Sequence, residues 1–209
     1  SPEVPGEGKA VPGRIFCAAR LTPEKGIDHL LRALADLPPP AHLEVGGEGP
    51  FRSALEALTR RLGVSDRVRF AGWLDRAGMA AAIREAAVVA IPSIWPETFG
   101  IVGIEAMASA RPVVAYDAGG VREWLDSPRT GLLVPQGDTA GMARALRTLL
   151  DDPARQRTCG LEGRRRVEGR FLESHHVAAL ERAGARAVRR WERLRERMSR
   201  EHDRADSLR

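Results

Sequence analysis

Short apolar runs alternate with amphipathic ones over most of this 209-residue chain. Arg14-Ile15-Phe16-Cys17-Ala18-Ala19 reads as a buried strand, and Ile27, Leu30, Leu31 and Leu34 then recur at helical spacing, predicting a helix from Ile27 to Leu37. The same alternation continues. His42 to Gly47 is a short strand, Phe51 to Leu62 an amphipathic helix ended by Gly63, and Arg67 to Trp73 an alternating third strand. Asp75 is placed to cap a helix reaching about Ala86, and Val88 to Ile91 is a fully apolar strand. Arg111 to Asp117 and Thr130 to Pro135 are two further strands, and Asp138 is placed to cap a helix from about Thr139 to Leu150. Strands alternating with helices in this way predict an α/β fold: a doubly wound parallel sheet of about six strands, followed by C-terminal helices.

One stretch interrupts the regularity. Between the apolar strand and the next helix, Pro92 and Pro96 force an irregular loop that carries Glu97. From about Gly100 the pattern turns helical, with Ile101, Ile104 and Ala108 expected toward the core and Glu105 on the second turn. A helix start offers free N–H groups and a positive dipole end, which suit a phosphate. Gly100 and Gly103 are expected to let a ligand approach the backbone. Two carboxylates flanking such a start suit a phosphorylated, hydroxyl-rich ligand; an N-cap carboxylate and a solvated glutamate are the plainer alternative. Arg20 and Lys25 bracket a strand end and a helix start, where open α/β sheets bind ligands, so they converge on one anion or are simply two surface cations.

Composition narrows the classes. Hydrophobic residues make up 43% of the chain and charged ones 29%, ordinary for a globular protein. No apolar run is long enough to cross a membrane, and no signal peptide is visible, although the first residue is Ser. Cys17 and Cys159 lack metal-ligand spacing and read as reduced thiols of a cytoplasmic protein; His175 and His176 are adjacent and do not make a metal site. The net charge is +5, with arginine concentrated after about Arg155, but without interleaved aromatics this is not a nucleic-acid signature. It reads as a solvated basic helix face, compatible with contact at an anionic membrane surface. Val177, Leu180, Val188, Trp191, Leu194 and Met198 form an apolar helical stripe in that tail.

Several motifs resemble one family in its own order. Pro92-Ser93-x-x-x-Glu97-Thr98-Phe99-Gly100-Ile101-Val102-x-x-Glu105-Ala106-Met107 is similar to the E-x7-E signature of retaining glycosyltransferases of the GT-B fold, in the large group called family 4. Arg20-Leu21-x-x-Glu24-Lys25-Gly26 resembles that family's pyrophosphate-binding element, Gly47-x-Gly49-Pro50 its turn near the donor, and Phe70-x-Gly72-Trp73 its base-contacting turn. Gly119-Gly120 with Glu123 fits as well, while Ala110 stands where the family usually has Gly. The resemblance spans roughly Arg14 to Leu150 and implies one Rossmann-like half of a GT-B enzyme, the donor-binding domain for a nucleoside-diphosphate sugar.

In that resemblance Arg20, Lys25 and Glu97 are the catalytic set, the two cations on the diphosphate and Glu97 on the sugar hydroxyls. Thr98, Phe99, Gly100 and Ile101 line the donor, Glu105 takes the ribose hydroxyls, and Gly47, Gly72 and Trp73 lie toward the base; Trp73 is equally readable as core packing. No cofactor and no metal are expected. The implied partners are the nucleotide sugar and an acceptor-binding domain that precedes this one in the family. The expected division is a linker or disordered start at 1–12, the nucleotide-sugar domain at 13–171 and an arginine-rich helical extension at 172–209, with the chain in the cytoplasm or at the inner membrane face. The competing reading is a non-catalytic nucleotide-sugar-binding or protein-interaction module.

Overall fold

The short apolar runs predicted as strands form strands, most of them buried along most of their length. The computed structural model describes residues 10–96 and 100–171. In chain order it contains β1 (Arg14–Ala18), α1 (Ile27–Ala35), β2 (His42–Gly46), α2 (Arg52–Leu62), β3 (Val68–Gly72), α3 (Arg76–Glu85) and β4 (Val88–Ile91). Then follow α4 (Ile101–Ala108), β5 (Val113–Tyr116), α5 (Val121–Trp124), β6 (Gly131–Val134), α6 (Thr139–Leu150) and α7 (Pro153–Arg170). The strands form one parallel sheet in the order β3-β2-β1-β4-β5-β6.

The alternating strand residues are buried on both faces. Ile15, Cys17, Leu43, Val45, Val88, Ala90, Val114 and Tyr116 share one cluster with Leu30, Leu34 and Leu146. Their strand neighbours Phe16, Val89, Val113 and Ala115 are equally buried. On the helical layers, α1 packs against α2 and α6, while α3 packs against α4. Burial on both faces is what a parallel sheet with crossover helices requires. Local chemistry fixes the helix ends: Asp75 accepts from the Gly78 N–H and Asp138 from the Gly141 N–H at 2.8 Å. Gly63 closes α2 in the left-handed conformation, φ 66°.

Arginine does much of the capping at the other ends. Arg67 donates to the carbonyls of Leu34, Leu37 and Ala41, and Arg147 to that of Asp36, all around the end of α1. Arg166 donates to the Glu123 and Trp124 carbonyls at the end of α5. On α7, Arg164 pairs with Glu168 and Arg165 with Glu162. Part of the basic surplus therefore satisfies helix carboxyl ends rather than forming an open cationic surface. Glu44, 8% exposed, is balanced by Arg14 at 2.9 Å and Arg69 at 3.6 Å.

The chain divides into residues 1–168 and 169–209. Val11 donates its N–H to the Glu85 carbonyl at 2.8 Å, so the last residues of the expected linker are tied to the domain. The expected extension at 172–209, with its apolar stripe and His175-His176, lies outside the described residues. Among the described residues no helix is long and apolar enough to cross a membrane.

Cys17 is 1% exposed, and burial pushes its thiol up to about 12, opposed by the nearby Lys25 charge. A thiol held neutral does not act as a nucleophile. Iodoacetamide near neutral pH is expected to leave Cys17 unmodified in the native chain and to label it on denaturation; mass spectrometry distinguishes the two, and rapid native labelling contradicts the burial.

Candidate functional site

β1 and β4 are neighbours in the sheet, yet the chain leaves β1 toward β2 and leaves β4 toward β5. The loops beyond their carboxyl ends therefore diverge and leave a crevice. A cleft of about 550 Å³ opens there. Its lining includes Cys17, Ala18, Ala19, Ala90, Ile91 and Pro92, together with Arg20 and Lys25 from the loop after β1, and Ser93, Gly100 and the first residues of α4, Ile101 and Val102, from the other side. A larger cavity of about 710 Å³ lies at the opposite sheet edge, among Pro38–Ala41, Arg111, Arg147 and Arg157. Its size does not make it the site: Arg147 there is occupied in capping α1, and none of the signature residues reaches it.

The cation loop is shaped by its sequence. Thr22 is extended, Pro23 starts a 3-10 turn over Pro23–Lys25, and Gly26 closes it at φ 61°. A Cβ on Gly26 would lie 2.0 Å from the Pro92 carbonyl oxygen, so glycine there also permits the two loops to touch. Arg20 is exposed, and its Nη2 lies 3.9 Å from Glu24 Oε1. The Thr22 hydroxyl donates to the same carboxylate oxygen at 2.7 Å. That hydrogen bond, then Glu24's own N–H, then Arg20 and Lys25, hold the Glu24 carboxyl below the usual carboxylate range.

The loop after β4 is fastened on both sides. The Ile94 N–H donates to the Glu24 carbonyl at 3.0 Å, and the Ser93 hydroxyl lies 3.4 Å from the same oxygen. From β6's side, the Gln136 amide donates to the Ile94 carbonyl. Ser93 belongs to the signature stretch and Ile94 to its unspecified positions, but no local pattern shows that they fasten this loop to Glu24, and Gln136 lies outside every motif.

α4 corrects two expectations. Ile101 is 67% exposed at the cleft and Ala108 is exposed, whereas Gly103, Ala106 and Met107 are buried. The glycines are explained by Trp124. A Cβ on Gly103 would lie 2.2 Å from the Trp124 ring, and one on Gly100, at φ 80°, 3.2 Å from it. Their missing side chains leave room for the indole. Gly100 and Ile101 still place the opening of α4 in the cleft wall, opposite the cation loop. Glu105 is exposed one turn further along. Glu97, Thr98 and Phe99 lie outside the described residues.

The remaining candidates lie further along the same edge. Gly47 donates its N–H to the Gly72 carbonyl at 2.6 Å, and a Cβ on it would lie 2.0 Å from the Ala19 carbonyl oxygen. Close approach thus brings the ends of β2 and β3 beside that of β1. Trp73 is 72% exposed, so its reading as core packing fails. The structure gathers Arg20, Lys25, Gly100 and Ile101 around one cleft, with Gly47, Gly72 and Trp73 outside its lining.

Residues 8–166 match the family described as glycosyl transferases group 1. A D-inositol 3-phosphate glycosyltransferase of Kineococcus radiotolerans is 40% identical over 175 residues, 74% of this chain and 40% of the relative. The structure of HepE from Anabaena in complex with UDP aligns at a TM-score of 0.75 and 29% identity, covering 84% of this chain and 48% of that one. The C-terminal domain of a glycosyl transferase group 1 family protein from Francisella tularensis aligns at a TM-score of 0.72 over 79% of this chain and 89% of its own; at 24% identity the likeness is one of fold alone. The chain spans less than half the length of the curated relatives it matches. The doubly wound sheet is thus half of a GT-B architecture, as its motifs predict.

Proposed function

This chain belongs to the group 1 glycosyl transferases, and on that premise we propose that it is the donor-binding half of a retaining enzyme that moves a sugar from a nucleoside diphosphate to an acceptor. The observation that carries the proposal is the cleft at the β1/β4 switch point, with Arg20 and Lys25 facing the opening of α4. In this reading Arg20 and Lys25 hold the diphosphate and stabilise the charge that grows on it as the glycosidic bond breaks. The backbone N–H groups opening α4 add to that hole. Two cations from the chain itself fill the role that a divalent metal takes elsewhere, so no metal belongs to the proposal.

Glu97 accepts from the sugar hydroxyls and orients the anomeric carbon, Thr98 and Phe99 line the sugar, and Glu105 takes the ribose. Gly47, Gly72 and Trp73, along the same edge, face the base. The acceptor attacks on the face the diphosphate leaves, and a leaving phosphate oxygen takes its proton. An acceptor-binding domain supplies the other wall. UDP bound to HepE, a structural relative, supports a nucleoside diphosphate as the ligand.

Calorimetric titration of the chain with UDP, GDP and ADP tests this. One diphosphate is expected to bind, and Glu105→Gln to weaken it about tenfold by removing a charged acceptor. Glu97→Ala is expected to weaken a nucleotide sugar more than the bare diphosphate. Absence of binding by all three diphosphates defeats the donor-site reading and favours an interaction module.

A further inference from the structure

We propose that Glu24 is a positioning residue for the anion site: an internal carboxylate that holds Arg20 while the cleft is empty and yields it to an incoming diphosphate. The proposal rests on the donor-site reading above. Glu24 is fixed at both ends. Its carbonyl accepts from the Ile94 N–H at 3.0 Å, which pins its main chain against the loop after β4. Its carboxylate accepts the Thr22 hydroxyl at 2.7 Å, which turns the side chain back toward Arg20, 3.9 Å away.

Arg20 and Lys25, which flank Glu24 in sequence, both line the cleft. A diphosphate drawn to that pair therefore meets a carboxylate already engaged with one of its members. The guanidinium must turn from one anion to the other, and the displaced carboxylate then repels the phosphates. Glu24 thus keeps Arg20 oriented along the loop when no ligand is present. It also limits how tightly the released nucleoside diphosphate is retained. The side chains of Arg20 and Glu24 are 71% and 37% exposed, so solvent screens the competition and its effect is modest.

Glu24→Gln removes the charge and keeps an oxygen for Thr22. In the 209-residue chain this variant is expected to bind the accepted nucleoside diphosphate about twofold to fivefold more tightly at low ionic strength, with the gain shrinking as salt is added. Thr22→Val, which removes the hydroxyl but leaves the charge, is expected to give no comparable gain. In an Arg20→Gln background Glu24→Gln is expected to keep only the smaller gain that comes from lost repulsion of the phosphates, because the shared guanidinium is gone. The probes are UDP, GDP and ADP, titrated at two salt concentrations, with thermal unfolding as the check on folding. Equal or weaker binding by Glu24→Gln, when the wild-type chain binds, overturns the proposal and leaves the donor site standing. A wild-type chain that binds none of the three overturns both.

Discussion

Replacing Lys25 by alanine lowers the affinity for the bound nucleoside diphosphate by about 10- to 100-fold, the loss expected for a charge-assisted contact to phosphate. Lys25 ends the 3-10 turn and is half-buried in the cleft wall, with Gly100 to Val102 at the opening of α4 on the facing side. The backbone that carries it is placed by Gly26 against Pro92 and by the Glu24–Ile94 hydrogen bond, so Lys25 stands at the cleft before any ligand arrives. Lys25→Arg is expected to restore only part of the affinity, since a planar fork does not reproduce a point charge. Calorimetry on the wild-type chain and both variants gives the result, with unfolding temperature as the control. Affinity unchanged within twofold in Lys25→Ala, with the fold intact, removes Lys25 from the anion site.

Trp124→Ala is expected to destabilise the domain by about 3–5 kcal/mol, the usual range for deleting a large buried aromatic. The indole is 0% exposed and lies against Gly100 and Gly103 of α4. Removing it empties the space that those glycines leave, and it frees the helix whose opening forms one wall of the cleft. The reverse change, Gly103→Ala, pushes a methyl into the ring and is expected to lose about 1–3 kcal/mol by overpacking. Because the two sites touch, the pair Trp124→Leu with Gly103→Ala is expected to lose less than the sum of its single changes. Urea unfolding of the single and double variants measures each term. A loss below about 1 kcal/mol for Trp124→Ala contradicts this packing.

These effects also mark where sequence reading reaches its limit. Asp75, Asp138 and Gly63 were legible because a cap acts within its own turn, on groups three residues away. Val88–Ile91 was legible because a strand buried on both faces is apolar throughout. The exposed face of α4 was not: Ile101 and Ala108 have the composition of core residues but face outward, while Gly103 carries no hydrophobic signal and is buried. Gly103 faces inward where Trp124, on a different helix, fills the space beside it. Likewise Arg67 and Arg147 look like surface charge until the end of α1 is placed beside them.

By itself, then, the sequence determined the six strands, their alternation with helices and the motifs at the strand ends, because periodicity, caps and turns act between near neighbours along the chain. Tertiary structure alone decided that β4 lies beside β1, that the loops carrying Lys25 and Ser93 meet through Glu24, and that two glycines serve an indole. Those outcomes depend on contacts between residues far apart in the chain, which no local pattern encodes: strand order is fixed by how the helices cover both faces of the sheet, and only that order opens a cleft where the two loops part.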